Sequence, residues 1–430
     1  MKKLLIAATA VLVSSSPLIL LPMEKELTLT SKQVQKLAQN TTVSLSQFKQ
    51  IPKNPRTVTS ILTYKNKELT DFKTNIQADT KLSISAISWN AKGEPVFQLQ
   101  DGDYVAASQK SIIDDSVYDQ KPVDMTLWTK DGLTVYKEPY VSGTDKADSK
   151  LASFKPIKVS RAAQTHAGTY YFADGEGWIN ASDLSTTDNR IEAVQKVLNE
   201  KYNNQESISV YVKQLDTDRI AAINDEKSMY AASVAKLGVL YYAQERLSQK
   251  KLSLSDEYQY TSAVNGFPGA YDPDGSGKIS KIPDDKNYSL ENLLKAVAQN
   301  SDNVATNILG YYVTNQYDKA FQKSVDKAAA TSWNMDKKEL TAKAAGTLME
   351  AVYRQNGDII NYLSSTDYDG ERISKNIDVP VAHKIGDAYD FKHDVAIVYT
   401  DSPFILSIFT DKEGYDKITS IADDVYGILK

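Results

Sequence analysis

The 430-residue sequence contains no cysteine and only three histidines. The lack of cysteine excludes disulfides, thiol catalysis and cysteine metal sites. The histidines, His166, His383 and His393, are far apart in the sequence, so they offer little material for a histidine-rich metal site or a Ser-His-Asp triad. An enzyme of this composition would need a lysine or a carboxylate as its base, and we expect neither a metal nor another cofactor.

An excess of basic charge is also missing, since the formal net charge is −5 and no basic block offsets it. This balance argues against general nucleic-acid binding. With 41% apolar and 24% charged residues, the composition is typical of soluble globular proteins. The length predicts two or three domains rather than one.

The N-terminus predicts export. Lys2 and Lys3 precede an uncharged run from Leu4 to Met23. A short basic start followed by an apolar core is typical of a secretory signal, and the run is also long enough to span a bilayer. Residues 1–25 are therefore a cleaved signal peptide or a membrane anchor, and membrane contact is expected only there. We expect an extracellular, cell-surface or membrane-tethered protein, with residues 26–55 as a polar spacer.

Two segments of the middle region are similar to each other and predict two small all-β repeats, at 56–116 and 122–186. Both end in an Asp-Gly turn, an aromatic–aliphatic pair and Ala-Ser; the pairs are Tyr104-Val105 and Trp178-Ile179. The second segment, through Gly177-Trp178-Ile179, resembles SH3-like modules of the Gly-Trp type from Gram-positive surface proteins. That resemblance implies attachment to wall polymer, peptidoglycan or a surface protein. The alternative is that Trp178 and Tyr104 are core aromatics of small barrels.

Ser233-Val-Ala-Lys236 begins a very apolar segment that predicts a buried helix opened by Ser233. Residues three apart share a helix face, so the lysine amine can lie against the serine hydroxyl, as a Ser-Lys nucleophile requires. The same spacing recurs at Ser46/Lys49, Ser248/Lys251 and Ser324/Lys327, so the pattern alone is weak.

Two later motifs stand in order behind it, Ser301-Asp302-Asn303 and Lys384-Ile385-Gly386. The first could also be a simple helix cap, because Ser, Asp and Asn are the residues that caps use. Lys384-Ile385-Gly386 precedes two apolar runs that predict a β-hairpin. Between the first and second motifs, Asp272–Ile279 has oxygen side chains at alternate positions like a calcium loop. Its twelfth position is Pro283 instead of glutamate, which favours a Gly-rich turn.

Ser-x-x-Lys, Ser-Asp-Asn and Lys-x-Gly in this order are the signature of penicillin-recognising serine enzymes, and residues 188–430 resemble the class A β-lactamase family. The resemblance implies an α/β fold, an antiparallel sheet flanked by helices plus a helical subdomain. It implies that Ser233 is the nucleophile, Lys236 its base, and Ser301 a proton relay to the leaving nitrogen. Asn303 would hold Lys236 and the substrate amide. Lys384 would supply a second cation and bind the substrate carboxylate.

Two departures from that pattern limit what the resemblance implies. Ile385 replaces the usual Thr or Ser, so the hydroxyl that holds the substrate carboxylate is missing beside Gly386. Lys392 or His393 could partly replace it as substrate-binding groups, or either could cap a strand. Between the second and third motifs, no glutamate has an asparagine four residues on, so the base for the deacylating water is not evident.

Three hypotheses therefore remain open. The chain could be a β-lactamase-like hydrolase with slow turnover, or a D-Ala-D-Ala peptidase-like wall enzyme that binds penicillin. It could also be a surface binding protein whose catalysis has lapsed. The expected partners are a β-lactam or a peptidoglycan-derived peptide at the serine and a cell-wall polymer at the repeats.

Overall fold

The computed structural model describes residues 46–139 and 144–430. The predicted signal or anchor at 1–25, and positions 26–45 of the predicted spacer, lie outside these residues. The chain divides into two compact units, one ending at Ser116 and the other running from Val117 to Lys430. Among the described helices, none combines the length and apolar character needed to cross a bilayer.

The first unit is built of short antiparallel strands. In chain order they are β1 (Pro55–Thr57), β2 (Ile61–Tyr64), β3 (Phe72–Ile76), β4 (Ile84–Trp89), β5 (Pro95–Leu99), β6 (Tyr104–Ala106) and β7 (Ile112–Asp114). Five of them form one sheet in the order β3-β2-β6-β5-β4, and β1 pairs with β7. Phe97, Val105 and Ile112 are fully buried and form the centre of its small core.

The second unit begins with a six-stranded sheet in the order β13-β8-β10-β11-β12-β9. Its strands are β8 (Asp119–Thr129), β9 (Val135–Tyr136), β10 (Pro156–Thr165), β11 (Gly168–Ala173), β12 (Gly177–Asn180) and β13 (Leu184–Ser185), with a 3-10 turn at Ala181–Asp183. Trp178 is only 3% exposed and lies 5.2 Å from the Phe172 ring. At this position the side chain is a core aromatic.

This sheet packs directly on the rest of the unit. The buried Asn189 donates from Nδ2 to Thr129 O at 3.0 Å, and Lys196 pairs with Asp131 at 2.8 Å. The boundary predicted near residue 188 therefore separates two sheets within one compact unit, Val117–Lys430.

The remainder of the unit alternates helices with strands of a central sheet. The helices are α1 (Arg190–Tyr202), α2 (Leu237–Ser248), α3 (Leu290–Asn300), α4 (Asn303–Tyr312), α5 (Lys319–Ala329), α6 (Ala342–Gln355), α7 (Asp358–Leu363) and α8 (Tyr415–Leu429), with 3-10 turns at Ala232–Lys236 and Ser262–Asn265. The strands are β14 (Ile208–Gln214), β15 (Ile220–Ile223), β16 (Met229–Tyr230), β17 (Glu257–Gln259), β18 (Asn287–Ser289), β19 (Glu339–Leu340), β20 (Val381–Ala388), β21 (Phe391–Val398) and β22 (Phe404–Asp411).

The central sheet is antiparallel in the order β15-β14-β22-β21-β20, so β20 is an edge strand. Helices α1 and α8 cover one face, where Val194, Leu406 and Ile421 are fully buried. The other face packs against α6 and the helical region that contains α2 to α5. Because successive side chains of a strand point to opposite faces, β20 presents Lys384 and Gly386 to one face and His383, Ile385 and Asp387 to the other.

Several predicted elements are confirmed. The hairpin expected around Asp216-Thr217-Asp218 is β14 paired with β15, and the one predicted after Lys384 is β21 paired with β22. Ser289 caps α3, because its side chain accepts a hydrogen bond from Asn292 N. The fold of 188–430 is thus an antiparallel sheet flanked by helices, with a helical region beside it.

Candidate active site

Ser233 and Lys236 lie on the 3-10 turn that immediately precedes α2. The helix was predicted to begin at Ser233, but α-helical geometry begins at Leu237. A 3-10 turn repeats every three residues, so the two side chains of this motif point in the same direction. The turn begins at Ala232, whose backbone is left-handed at φ 49°. Ser233 is 7% exposed and Lys236 is fully buried, so the serine lies at the edge of the interior and the lysine beneath it.

The Lys236 ammonium is held by the second motif. Its Nζ donates to Ser301 O and to Asn303 Oδ1, both at 2.6 Å. Its Nζ also lies 4.5 Å from the centroid of the Tyr271 ring. Burial lowers the pKa of Lys236 well below its ordinary value, and the charge of Lys384 lowers it further. These surroundings favour the free amine, which is the form that can accept a proton from Ser233.

Ser301, Asp302 and Asn303 form the junction between α3 and α4, and the helix-cap interpretation of this motif is confirmed. Asp302 caps α4, because its carboxylate accepts from Ala305 N at 2.8 Å. Ser301 adopts a left-handed backbone with φ 53°, which turns its carbonyl toward Lys236. Asn303 donates from Nδ2 to Asp272 O at 2.7 Å, and this bond orients Oδ1 toward the same lysine. One tripeptide therefore ends one helix, starts the next and positions Lys236.

The Gly-rich turn that follows Asp272 packs against this junction. A Cβ at Gly275 would lie 2.3 Å from Asn303 Nδ2, and one at Gly277 would lie 2.3 Å from the Asp302 carboxylate. Glycine is needed at both positions because no side chain fits there. The described residues contain no cluster of His, Asp and Glu that could hold a metal ion. The turn therefore supports the second motif by close packing.

Lys384 approaches the site from the edge strand β20. Its Nζ donates to Ser301 Oγ at 2.8 Å and to Ile385 O at 3.0 Å. Burial lowers the pKa of Lys384 to about 7. Close packing places the strand beside the serine turn, since a Cβ at Gly386 would lie 2.6 Å from Ala231 O. Five predicted residues are therefore brought together: Ser233, Lys236, Ser301, Asn303 and Lys384.

The two other predicted substrate-binding residues have different surroundings. His393 is fully buried and its ring stacks on Phe409 at 4.1 Å. Its Nε2 lies 2.9 Å from Tyr230 O, and its Nδ1 accepts from Thr410 N at 3.1 Å. Burial lowers the pKa of His393 to about 4, so it is neutral at physiological pH. With both nitrogens occupied, His393 has none left for a substrate and instead braces the strand before Ser233.

Lys392 is partly exposed, but its Nζ bonds to Asp387 at 2.7 Å and to Tyr389 O at 3.0 Å. Lys392 is therefore not free to replace the missing hydroxyl of position 385 in binding a substrate carboxylate. Ile385 itself is only 4% exposed.

The structure also shows where the three glutamates between the second and third motifs lie. Glu339 pairs across β16 and β19, Glu350 binds Lys213 and Arg354, and Glu371 binds Arg372. The connection from α5 to β19 spans only residues 330–338. Within residues 46–139 and 144–430, no carboxylate hydrogen-bonds to Ser233 or Lys236.

Sequence reasoning missed Tyr271 and Lys338. Tyr271 is buried, and its hydroxyl donates to Ala232 O at 3.2 Å, next to the nucleophile. Lys338 lies 4.5 Å from the centroid of the same ring and donates to Gly269 O at 3.0 Å. No sequence signal marks either residue, because both reach the serine turn through contacts between distant segments.

A His-Asp pair on the far face of β20 was missed as well. His383 lies 3.1 Å from both oxygens of the fully buried Asp394, and its Nε2 contacts Thr366 and Asp369. Burial opposes protonation of His383, but the two carboxylates outweigh it and raise its pKa to about 9. The adjacency of His383 to Lys384 in the third motif was the only signal for this pair.

Comparisons with known proteins give two family matches. Residues 189–429 match the beta-lactamase enzyme family, and residues 47–112 match a domain of unknown function, DUF5776. Among curated proteins, none matches the chain significantly.

Solved structures with a similar fold include PBP-A, with 14% identity, a TM-score of 0.48 and coverage of 55% of this chain and 96% of that one. A β-lactamase from Sphaerobacter thermophilus has 15% identity, a TM-score of 0.45 and coverage of 56% and 95%. The TLA-1 extended-spectrum β-lactamase has 19% identity, a TM-score of 0.46 and coverage of 56% and 99%. The family model spans more than half of this chain. The chain therefore belongs to the beta-lactamase enzyme family and is a β-lactamase-like serine hydrolase.

Proposed function

We propose that the protein is an exported hydrolase that forms an acyl-serine at Ser233 with β-lactams or related amides and releases it slowly. One observation carries the proposal: Lys236 is held by Ser301 O and Asn303 Oδ1, while Lys384 holds the Ser301 hydroxyl. A desolvated amine and a positioned hydroxyl are the two groups that acyl transfer to a serine needs.

Ser233, Lys236 and Ser301 can carry out every proton transfer of the acylation step. The Ser233 oxygen bonds to the substrate carbonyl carbon as its proton passes to the Lys236 amine. The carbon–nitrogen bond then breaks, and the leaving nitrogen takes a proton from the Ser301 hydroxyl, which is replenished from Lys236. The backbone amide of Ser233, at the start of a helical segment, can stabilise the developing oxyanion, an element often worth about 3 kcal/mol of barrier.

Slow release of the acyl group is expected for two reasons. The 330–338 connection is too short for the loop that would carry a glutamate base, and the glutamates between the second and third motifs are engaged elsewhere. Hydrolysis of an acyl-serine requires a base that activates water on the acyl carbon. Glu350 is bound by Lys213 and Arg354, and Glu371 by Arg372. We therefore propose that the acyl-enzyme accumulates.

The test is to incubate the purified chain with a fluorescent penicillin and to follow the mass of the adduct over hours. Ser233→Ala should abolish the adduct, while Ser248→Ala, at another Ser-x-x-Lys match, should leave it unchanged. A persistent adduct supports slow release, whereas an adduct that vanishes with product contradicts it. If no adduct forms at any concentration, the acyl-serine proposal fails and the lapsed binding protein is favoured.

We propose further that the β sheet at 117–186 attaches the hydrolase to a cell-wall polymer at a Gram-positive surface. Its support is the resemblance of the Gly177-Trp178-Ile179 segment to SH3-like modules of that kind; because Trp178 lies in the core, contacts to a polymer would come from exposed side chains of the sheet. Cosedimentation of the purified chain with isolated cell walls tests attachment. Retention in the supernatant at low salt, where charge attraction is strongest, would contradict it.

A further inference from the structure

Tyr271 is fixed beside the serine turn by helix α4. The side-chain amide of the buried Asn307 accepts from Tyr271 N at 2.7 Å and donates to Tyr271 O at 2.8 Å. Asn307 lies one turn after Asn303 on the same helix, and Asn303 holds Lys236. One helix therefore positions both Lys236 and the Tyr271 ring, whose centroid lies 4.5 Å from Lys236 Nζ.

The Tyr271 hydroxyl contacts the peptide group that carries the Ser233 amide. It donates to Ala232 O at 3.2 Å. In a planar trans peptide, the carbonyl oxygen of one residue and the N–H of the next point in opposite directions. A bond that fixes the Ala232 carbonyl therefore also fixes the direction of the Ser233 N–H.

This peptide group lies where the backbone needs support from its surroundings. Ala232 is left-handed at φ 49°, a conformation that is unfavourable for alanine and persists only where other contacts hold it. The first hydrogen bond of the 3-10 turn runs from Val234 N to Ala231 O at 3.0 Å. The Ser233 N–H, one residue earlier, is thus left for an oxyanion, and the Tyr271 hydroxyl supports its peptide group from outside the turn.

The hydroxyl remains a donor over the physiological pH range. Tyr271 is buried, and burial raises the pKa of its hydroxyl well above the ordinary value, so the group stays protonated. Stabilisation of an oxyanion depends on dipoles that are already oriented before the charge forms. A hydrogen bond that is present at every working pH can provide this orientation.

We propose that Tyr271 is a positioning residue whose hydroxyl orients the Ser233 amide toward the carbonyl oxygen of the substrate. This inference rests on the proposed acyl-serine chemistry and adds to it a residue outside the three motifs. As Ser233 Oγ bonds to the acyl carbon and its proton passes to Lys236, the negative charge forms on the carbonyl oxygen. The Ser233 N–H stabilises that charge, and Tyr271 acts only through this amide.

An ester and its thionoester isolate the oxyanion. Phenyl phenylacetate and O-phenyl phenylethanethioate have the same leaving group and differ only in C=O or C=S, and sulfur is a weak hydrogen-bond acceptor. The acylation rate of the purified chain is measured by the mass of the adduct for each probe and divided by the rate of hydroxide attack on that probe. We expect the wild-type chain to favour the ester by about tenfold or more after this correction, because only the oxygen anion gains from the amide.

Tyr271→Phe removes the hydroxyl and keeps the ring against Lys236. It should lower the ester rate about tenfold, less than the roughly 10²–10³ expected for loss of an oxyanion donor, because the amide itself remains. The thionoester rate should change by less than about twofold, since sulfur gains little from the amide. The pH midpoint of ester acylation should not move, because the ring stays beside Lys236 Nζ.

Tyr202→Phe is the matched control. Tyr202 is 5% exposed and its hydroxyl donates to Asp424 at 2.6 Å, in the core on the other face of the central sheet. Its substitution should lower the free energy of unfolding in urea and leave the ratio of the ester rate to the thionoester rate unchanged. Replacement of Tyr271 by 4-aminophenylalanine restores a donor on the same ring and should return the ratio toward the wild-type value. If Tyr271→Phe does not fold, Asn307→Ser loosens the same tyrosine and should lower the ratio in the same direction.

The outcomes distinguish this inference from the proposed function. A wild-type chain that is acylated by both probes without favouring the ester overturns the inference, and that measurement needs no variant. Equal losses for the two probes in a folded Tyr271→Phe chain, or a shifted pH midpoint, overturn it too and leave the acyl-serine proposal intact. If neither a penicillin nor the ester acylates Ser233, the acyl-serine proposal itself is lost and this inference with it.

Discussion

His383 and Lys384 are neighbours on β20 and both are buried, yet their pKa values shift in opposite directions, because their side chains lie on opposite faces of the strand and meet different partners. His383 meets the carboxylates of Asp394 and Asp369, which raise its pKa to about 9 against the effect of burial. Lys384 meets a hydroxyl and a carbonyl, and burial lowers its pKa to about 7. At neutral pH the histidine is charged and the lysine is partly neutral.

The difference shows that partners decide the charge of a buried base. Desolvation disfavours the charged form of both side chains, and the carboxylates of Asp394 and Asp369 in contact with the ring outweigh it only at His383. On the serine side of β20, Lys384 and Lys236 have only hydroxyl, carbonyl and amide oxygens as hydrogen-bond partners. The free-amine form of both lysines is therefore favoured there. The opposite side holds His383 in a fixed, charged state that suits a structural role.

The largest change is expected from the base on the serine side. Lys236→Met should reduce the acylation rate about 10³-fold, because the proton of Ser233 loses its acceptor. Lys338→Met, on the same Tyr271 ring, removes a buried lysine that does not contact Ser301 or Asn303 and should cost less than about tenfold. Stopped-flow fluorescence with a labelled penicillin measures both. Equal losses would show that the two lysines merely support the fold.

The histidine side should affect stability rather than rate. His383→Gln should lower the free energy of unfolding by about 3 kcal/mol at most near pH 6, from a pKa rise from 6.5 to about 9. Because the folded pKa is raised, this contribution is complete below pH 6.5 and is lost as pH rises through about 9. Urea denaturation of the full chain at pH 6 and pH 9.5 measures the change.

His166→Gln provides the matched control for that pH dependence. His166 lies in the 117–186 sheet, 6.2 Å from the Tyr118 ring, and no ion pair involves it among the described residues. Its substitution should give the same small difference at both pH values. A His383→Gln difference that does not shrink at pH 9.5 would mean that the two carboxylates do not hold a charged imidazole.

Lys384→Met should reduce acylation at pH 7 about tenfold, the cost of a hydrogen bond from a charged donor to Ser301. It should also move the pH midpoint of acylation upward. Burial is the main cause of the low pKa of Lys236 and the Lys384 charge is the next, so removing that charge raises the pKa of Lys236. Lys375→Met, in an exposed pair with Asp416, should not move the midpoint. An unchanged midpoint in Lys384→Met would show that the charge of Lys384 does not influence the pKa of Lys236.

The smallest effect is expected at Ile385. Ile385→Thr should raise the acylation rate by penicillin severalfold, because one added hydrogen bond contributes about 1 kcal/mol. Ile385→Val has nearly the same shape without the hydroxyl and should give no gain. A comparison of the two rates isolates the hydroxyl, and equal rates would show that position 385 does not reach the substrate carboxylate.

Local sequence signals predicted much of the fold of residues 188–430. The β14–β15 hairpin, the Ser289 cap and the β21–β22 hairpin each follow from a few neighbouring residues. The three motifs were likewise recognisable in order, and the structure brings their residues together at Lys236 and Ser301.

What the sequence could not predict depends on contacts between distant segments. The 3-10 turn at Ser233 is held from outside, with Trp333 Nε1 donating to Ala235 O at 3.1 Å across 98 positions. Tyr271 reaches Ala232 across 39 positions. The engagement of Lys392 by Asp387 depends on the register of β20 against β21. Such arrangements have no local pattern, because the partners are chosen by packing rather than by sequence spacing.

The packing of the 117–186 sheet on the hydrolase has a kinetic consequence for the proposed attachment. Asn189 and Lys196 tie the sheet to the same compact unit that contains Ser233, so no flexible linker separates them. A polymer chain held by that sheet would present nearby acyl groups to the serine at a local concentration set by geometry rather than by dilution. Encounter would then not limit acylation, and the release of the acyl-serine alone would set the turnover.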